Sequence, residues 1–239
     1  MRTYFYGRSL YSHISHAQLP KCFVELDEIL GAEDSNEDIV LAINMPKVRI
    51  TENICRRMAD IDWYANNIEA AMQEENMGKA SLLTMTLLVG YFGSCKSLLD
   101  AAAISLNQIY ILGLKEKEQD FGKGKFWDQL RRSNLDAFST YNSFRTLAKE
   151  VIKWRDAAVH RQSPIILPSG MTGERPRDEL KIWLINDPEP QIRGHEITVP
   201  EGKDVIIKPL DLHAKWRSEF VRLCGQLCLD IKCRSLDLI

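Results

Sequence analysis

The chain has 239 residues, 45% hydrophobic and 27% charged, which is the balance of an ordinary globular protein with ample length for a core and excludes a disordered or collagen-like chain. A formal net charge of −2 excludes a global basic field, so any polyanion site has to be a local cluster of cations. The six cysteines form no CxxC pair and lie mostly in apolar helical patterns, as buried thiols of a reducing cytoplasm would, and no leader-like apolar stretch opens the sequence.

Residues 1–48 read as an appendage, with a short helix from about Leu19 to Leu30, stopped by Gly31, and the acidic, turn-like AEDSNED after it. A first long helix is expected from Thr51 to about Asn76, because Ile54, Met58, Ile61, Tyr64, Ile68 and Met72 recur at helical spacing. A second follows Met77-Gly78 to about Leu112, apolar on most sides, as the most buried member of a bundle would be. Its longest uncharged run, Ala80 to Cys95, falls short of the roughly 20 residues a bilayer span needs, so a core helix and no membrane association are expected.

The segment GLKEKEQDFGKGKFWDQLRRSN reads as a connector with a short helical piece around Phe126 to Arg132. A third long helix is expected from about Leu135 to His160, with Phe138, Tyr141, Phe144, Leu147, Val151 and Trp154 on one stripe and Pro164 just beyond. Between Pro164 and Pro209, LKIWLI, HEITV and DVIIK predict a small hairpin or three-stranded insert, and SGMTGERPRDE a mobile loop. A final helix from about Leu212 to Leu236 carries Trp216, Phe220, Leu223, Leu227 and Ile231 on one face. Together these predict a mainly α fold, an up-and-down four-helix bundle over residues 49–239 with a small β insert at about 164–208.

The end of the third helix, WRDAAVHR, carries the chemistry. Arg before His at a spacing of five is a weak signal, and RSLYSH from Arg8 to His13 repeats it. Only Arg155 and His160 end a strongly periodic helix, and only Arg155 is followed by a carboxylate. On an α-helix a separation of five turns the side chain by about 140°, so Arg155 and His160 do not share a face, whereas Asp156 and His160 do. Asp156 is therefore expected to hold the imidazole of His160, helped by the negative end of the helix dipole, so that His160 exchanges protons near neutral pH. Arg155 offers a planar, permanent cation suited to the charge that builds on a phosphodiester under attack. The set suits RNA cleavage without a metal, the 2′-hydroxyl being the nucleophile.

With Arg155, Asp156 and His160 at the end of the third long helix, the sequence resembles the HEPN superfamily, the higher-eukaryote and prokaryote nucleotide-binding helical bundles. The similarity covers roughly residues 50–236 in the order of helices, and KSLLDAAAISLNQIY with the following GKGKFWDQL also looks like one bacterial branch. The resemblance implies an all-α bundle that dimerises so that two motifs face one cleft. In many members it implies a ribonuclease of toxin–antitoxin or antiviral defence, with RNA as substrate and a cognate antitoxin protein as partner. Other members bind nucleotides or join partner proteins without catalysis, which is the rival reading. The β insert and the N-terminal 48 residues depart from the minimal bundle.

Lys123, Lys125, Arg131, Arg132 and Arg161, with Trp127 as a stacking aromatic, are candidates for contacts to RNA, although such charges are more often a solvated face and such aromatics core. Counting back along antiparallel second and third helices puts Asp100 level with Leu147, as a structural partner of Arg145, and puts Gly90 and Gly93 opposite the motif, for close packing. Cys224, Cys228 and Cys233 share a helix without completing a tetrahedral set, so no metal is expected. No phosphate loop, GxGxxG or HExxH occurs, and no cofactor is expected.

Overall fold

The computed structural model describes the backbone of residues 37–161, 165–168, 180–183, 192–193, 196–197 and 206–233, with side chains described within 53–159 and 208–231. The short helix expected near Leu19, the loop SGMTGERPRDE and the second Arg–His pair lie outside these residues. The described chain is mainly helical.

Helix α1 spans Glu37–Met72 and so begins well before Thr51. The boundary expected after residue 48 falls inside this helix, which corrects its expected start. Extending a formed helix costs little compared with nucleating one. Ile54, Met58, Ile61 and Ile68 are buried, as their spacing predicted.

Helix α2 spans Met77–Ile109, started by Asn76, whose side-chain oxygen accepts from the Lys79 N–H at 3.0 Å. It ends before the expected Leu112 because the chain turns left-handed there: φ is 50° at Ile111 and 66° at Gly113. The Leu112 N–H reaches back to the Asn107 carbonyl at 3.0 Å, closing the turn. By length and composition α2 could cross a membrane. It packs instead against α1 and against the two later long helices, with Leu88, Phe92, Cys95, Leu99, Ala102 and Leu106 buried.

The connector is more ordered than its polarity suggests. After a 3-10 turn at Glu116–Glu118 comes helix α3, Gly124–Ser133. Phe121, Phe126 and Trp127 pack on one another with ring centroids 5.0–5.2 Å apart. Trp127 Nε1 donates to the Phe121 carbonyl at 2.7 Å.

The expected third helix is interrupted. Helix α4 covers Leu135–Tyr141, a 3-10 turn covers Asn142–Phe144, helix α5 covers Arg145–Asp156, and a π-helical turn covers Ala157–Arg161. Asn134 caps α4 by accepting from the Ala137 N–H at 2.8 Å. The break falls at Asn142-Ser143, poor helix formers; the Ser143 hydroxyl donates back to the Thr140 carbonyl at 3.0 Å. Tyr141, Phe144, Leu147, Val151 and Trp154 nevertheless remain buried.

Short antiparallel strand pairs follow: β1 (Ile165–Pro168) with β2 (Leu180–Trp183), β2 with β5 (Ile206–Ile207), and β3 (Ile192–Arg193) with β4 (Glu196–Ile197). Helix α6, Pro209–Cys233, closes the described bundle with Leu212, Trp216, Phe220, Leu223, Leu227 and Ile231 inward. At the centre, Phe92 stacks on Trp154 at 5.2 Å, and Tyr91 lies parallel to Trp216 at 6.2 Å. Cys55, Cys95, Cys224 and Cys228 are buried thiols, as expected of them.

Candidate functional site

Burial of Val151 and Trp154 on α5 leaves Arg155 and Asp156 at the edge of the core, their side chains 36% and 42% exposed. Arg155 Nη1 donates to Asp156 Oδ1 at 2.8 Å. The carboxylate expected to hold His160 is therefore engaged by its neighbouring arginine. Beyond Asp156 the backbone widens into the π turn, in which hydrogen bonding runs from i to i+5. The backbone of His160 and Arg161 belongs to this turn, and their side chains lie outside the described ones.

Arg155 does not stand alone. Lys96 on α2, 17% exposed, is paired with Asp100 one turn along and lies 3.3 Å from Asp120 of the connector. Burial raises the Asp100 carboxyl above its usual range, against the pull of Lys96, while Asp120 adds to the rise and the positive charge of Arg155 opposes it. Asp100 therefore sits in the field of Arg155 and pairs with Lys96, not with Arg145 beside Leu147 as the count predicted. Straight antiparallel helices were assumed in that count, and the 3-10 and π turns break the assumption. Trp154, beside Arg155, stacks on Phe92 of α2.

The connector is held at this place by Gly122. A β-carbon there would lie 2.6 Å from Ile152 Cδ1 on α5, so the loop lies close against the helix that bears Arg155. The Gly122 N–H also donates to Asp120 Oδ1 at 2.7 Å, which turns that carboxylate toward Lys96. Lys96 and Asp100 carried a sequence signal, two charges within an apolar helix; Asp120 carried none.

The other RNA-binding candidates do not gather into a stacking groove. Trp127 is 1% exposed, with its indole N–H bound to backbone, so it belongs to the core, which corrects its expected role. Lys125 pairs with Glu118 at 2.6 Å, and Lys123 donates to the Lys117 carbonyl at 2.5 Å. Arg131 lies 5.7 Å from the Phe138 ring centroid, and Arg132 is exposed at the end of α3. Of the two glycines placed opposite the motif, Gly90 is closely packed: a β-carbon would lie 2.4 Å from the Tyr64 ring. Gly93 faces open space.

A second polar cluster crosses the core. Asp62 of α1, 7% exposed, accepts from Arg217 Nε and Nη2 of α6 at 2.8 and 3.0 Å. His213 Nε2 lies 3.8 Å from the same carboxylate, and its Nδ1 lies 3.2 Å from the Tyr91 hydroxyl. Cys95 stands one turn along α2 from Tyr91. Burial pushes both Tyr91 and Cys95 well above their usual ranges, so neither ionises near neutrality. Burial also lowers the His213 value; Asp62 opposes this and Arg217 reinforces it, so the imidazole is held neutral.

Among the described residues no three His, Cys, Asp or Glu side chains gather to hold a metal ion. In comparisons with known proteins, no family model, no curated protein and no solved structure matches the chain.

Proposed function

We propose that the chain is a metal-independent endoribonuclease of the HEPN type, an up-and-down bundle with a β insert between its third and fourth long helices, working as a cytoplasmic homodimer. In this reading His160 takes the proton of the 2′-hydroxyl as the 2′-oxygen attacks phosphorus. The 5′-oxygen then leaves with a proton returned by His160, and the product ends in a 2′,3′-cyclic phosphate. Arg155 stabilises the added negative charge at phosphorus. Asp156 orients the guanidinium of Arg155 rather than the imidazole of His160.

One observation carries the proposal. Arg155 is presented to solvent at the end of α5, its guanidinium aligned by Asp156, and the helix widens immediately afterwards into the turn that bears His160. Wide turns of this kind occur frequently at functional sites. Purified protein incubated with mixed-sequence RNA in EDTA is expected to give fragments with cyclic phosphate ends, and His160→Ala is expected to give none. Intact RNA with both proteins overturns the proposal.

One feature favours the rival, a non-catalytic module that binds a nucleotide or joins protein partners. Arg155 is already neutralised by Asp156 and faces the negative charge of Asp100, as a structural ion pair would be. Under the rival, Arg155→Ala weakens binding while the wild type cleaves nothing.

A further inference from the structure

Between α1 and α2 lies a cleft of about 300 Å³, with Asn53 and Arg57 on one wall and Ser97, Asp100 and Gln108 on the other. Ala101 and Ile104 add apolar surface between them. This size lies at the small end of ligand pockets, where one planar ring system fits and a longer chain does not. Asn53 and Gln108 are exposed, so their carboxamides, each both donor and acceptor, stand at the mouth. Arg57 is half-buried, and its ion pair with Asp60 is long, at 3.8 Å. A carboxylate on the α2 wall disfavours an anion inside. Paired amides, a hydroxyl and a carboxylate instead match the mixed donor and acceptor edge of a neutral heterocycle.

Asp100 connects this cleft to the motif. It lines the cleft and is bound by Lys96, which lies 3.3 Å from Asp120 of the connector, and Gly122 lays that connector against Ile152 of the helix that bears Arg155. We infer that the cleft is a base-selecting subsite, taking the nucleobase beside the phosphate that Arg155 holds; this rests on the ribonuclease reading above. The base enters between Asn53 and Gln108, and its ribose and phosphate stay outside the cleft, on the side of the end of α5.

The test uses the intact protein and five probes, the four nucleoside 3′-monophosphates and inorganic phosphate, titrated calorimetrically. The best nucleotide is expected to bind roughly tenfold tighter than phosphate and than the worst nucleotide, the discrimination of one good base contact. Gln108→Ala, at an exposed position that leaves the core intact, and Ala101→Phe, which fills the cleft, are both expected to remove most of that selectivity. Equal binding of all five probes, or selectivity unchanged in both variants, overturns the subsite. Cleavage of RNA measured alongside separates the two claims. If the wild type cleaves with a base preference that both variants keep, the subsite fails and the ribonuclease reading stands. If binding is base-selective, is lost in the variants and no RNA is cut, the subsite stands and the ribonuclease reading fails.

Discussion

The two charged clusters are built on opposite plans. Asp62 and Arg217 come from the first and last long helices, meet through two hydrogen bonds, and join His213 and Tyr91 into a network centred on the buried Asp62 carboxylate, with the Arg217 side chain 34% exposed. Arg155 and Asp156 are neighbours in sequence, share one bond and remain more than a third exposed. A network that joins distant helices around a buried carboxylate is an element of the fold, since removing the partners leaves that carboxylate in a poor solvent. A pair made between neighbours at one helix end and largely open to water does little for the fold.

This contrast is sharpened most by Arg155→Ala. RNA cleavage is expected to fall by about a hundredfold or more, while urea unfolding shifts by no more than about 1 kcal/mol. Loss of activity together with a large loss of stability breaks the contrast. Asp62→Ala is expected to do the reverse. It costs about 1.5–3 kcal/mol in urea unfolding, because the charged hydrogen bonds between the first and last helices are lost while Arg217 stays partly open to water, and it leaves the cleavage rate per folded molecule within about twofold. A smaller effect lies in acid. Since the folded His213 value is lowered, the unfolded chain binds the proton first as pH falls. Its contribution is therefore full above the ordinary histidine value and is lost as pH drops below it, toward the lowered one. The acid side of the stability curve is expected to flatten in His213→Gln, measured by thermal unfolding across that window; a curve parallel to wild type removes His213 from the network.

The long helices were legible because burial imposes a period on the sequence. Ile54, Met58 and Ile61, or Leu223, Leu227 and Ile231, declare one face each, and all are buried. Phase errors were not legible. Nothing in the hydrophobic stripe from Tyr141 to Trp154 marks the 3-10 turn at Asn142–Phe144, because a tighter turn still keeps those residues inward. Nor does WRDAAVHR mark its own widening, or the bond that Asp156 makes to its neighbour Arg155. Trp127 shows another limit: an aromatic among lysines and arginines fits a stacking platform and a small core equally well, and only burial separates them. Asp120 was out of reach, since its meeting with Lys96 depends on how Gly122 lays the connector against Ile152.

The central position of α2 has a consequence for how the molecule opens. Any excursion that frees α1, α5 or α6 alone leaves α2 with other partners, so no partial opening exposes all of its backbone. Its amide hydrogens around Phe92 to Leu99 are therefore exchanged with solvent only when the whole bundle comes apart, and their exchange rates report global stability directly. Amides of the π turn at Ala157–Arg161, where the regular i,i+4 ladder ends, are expected to exchange sooner than these.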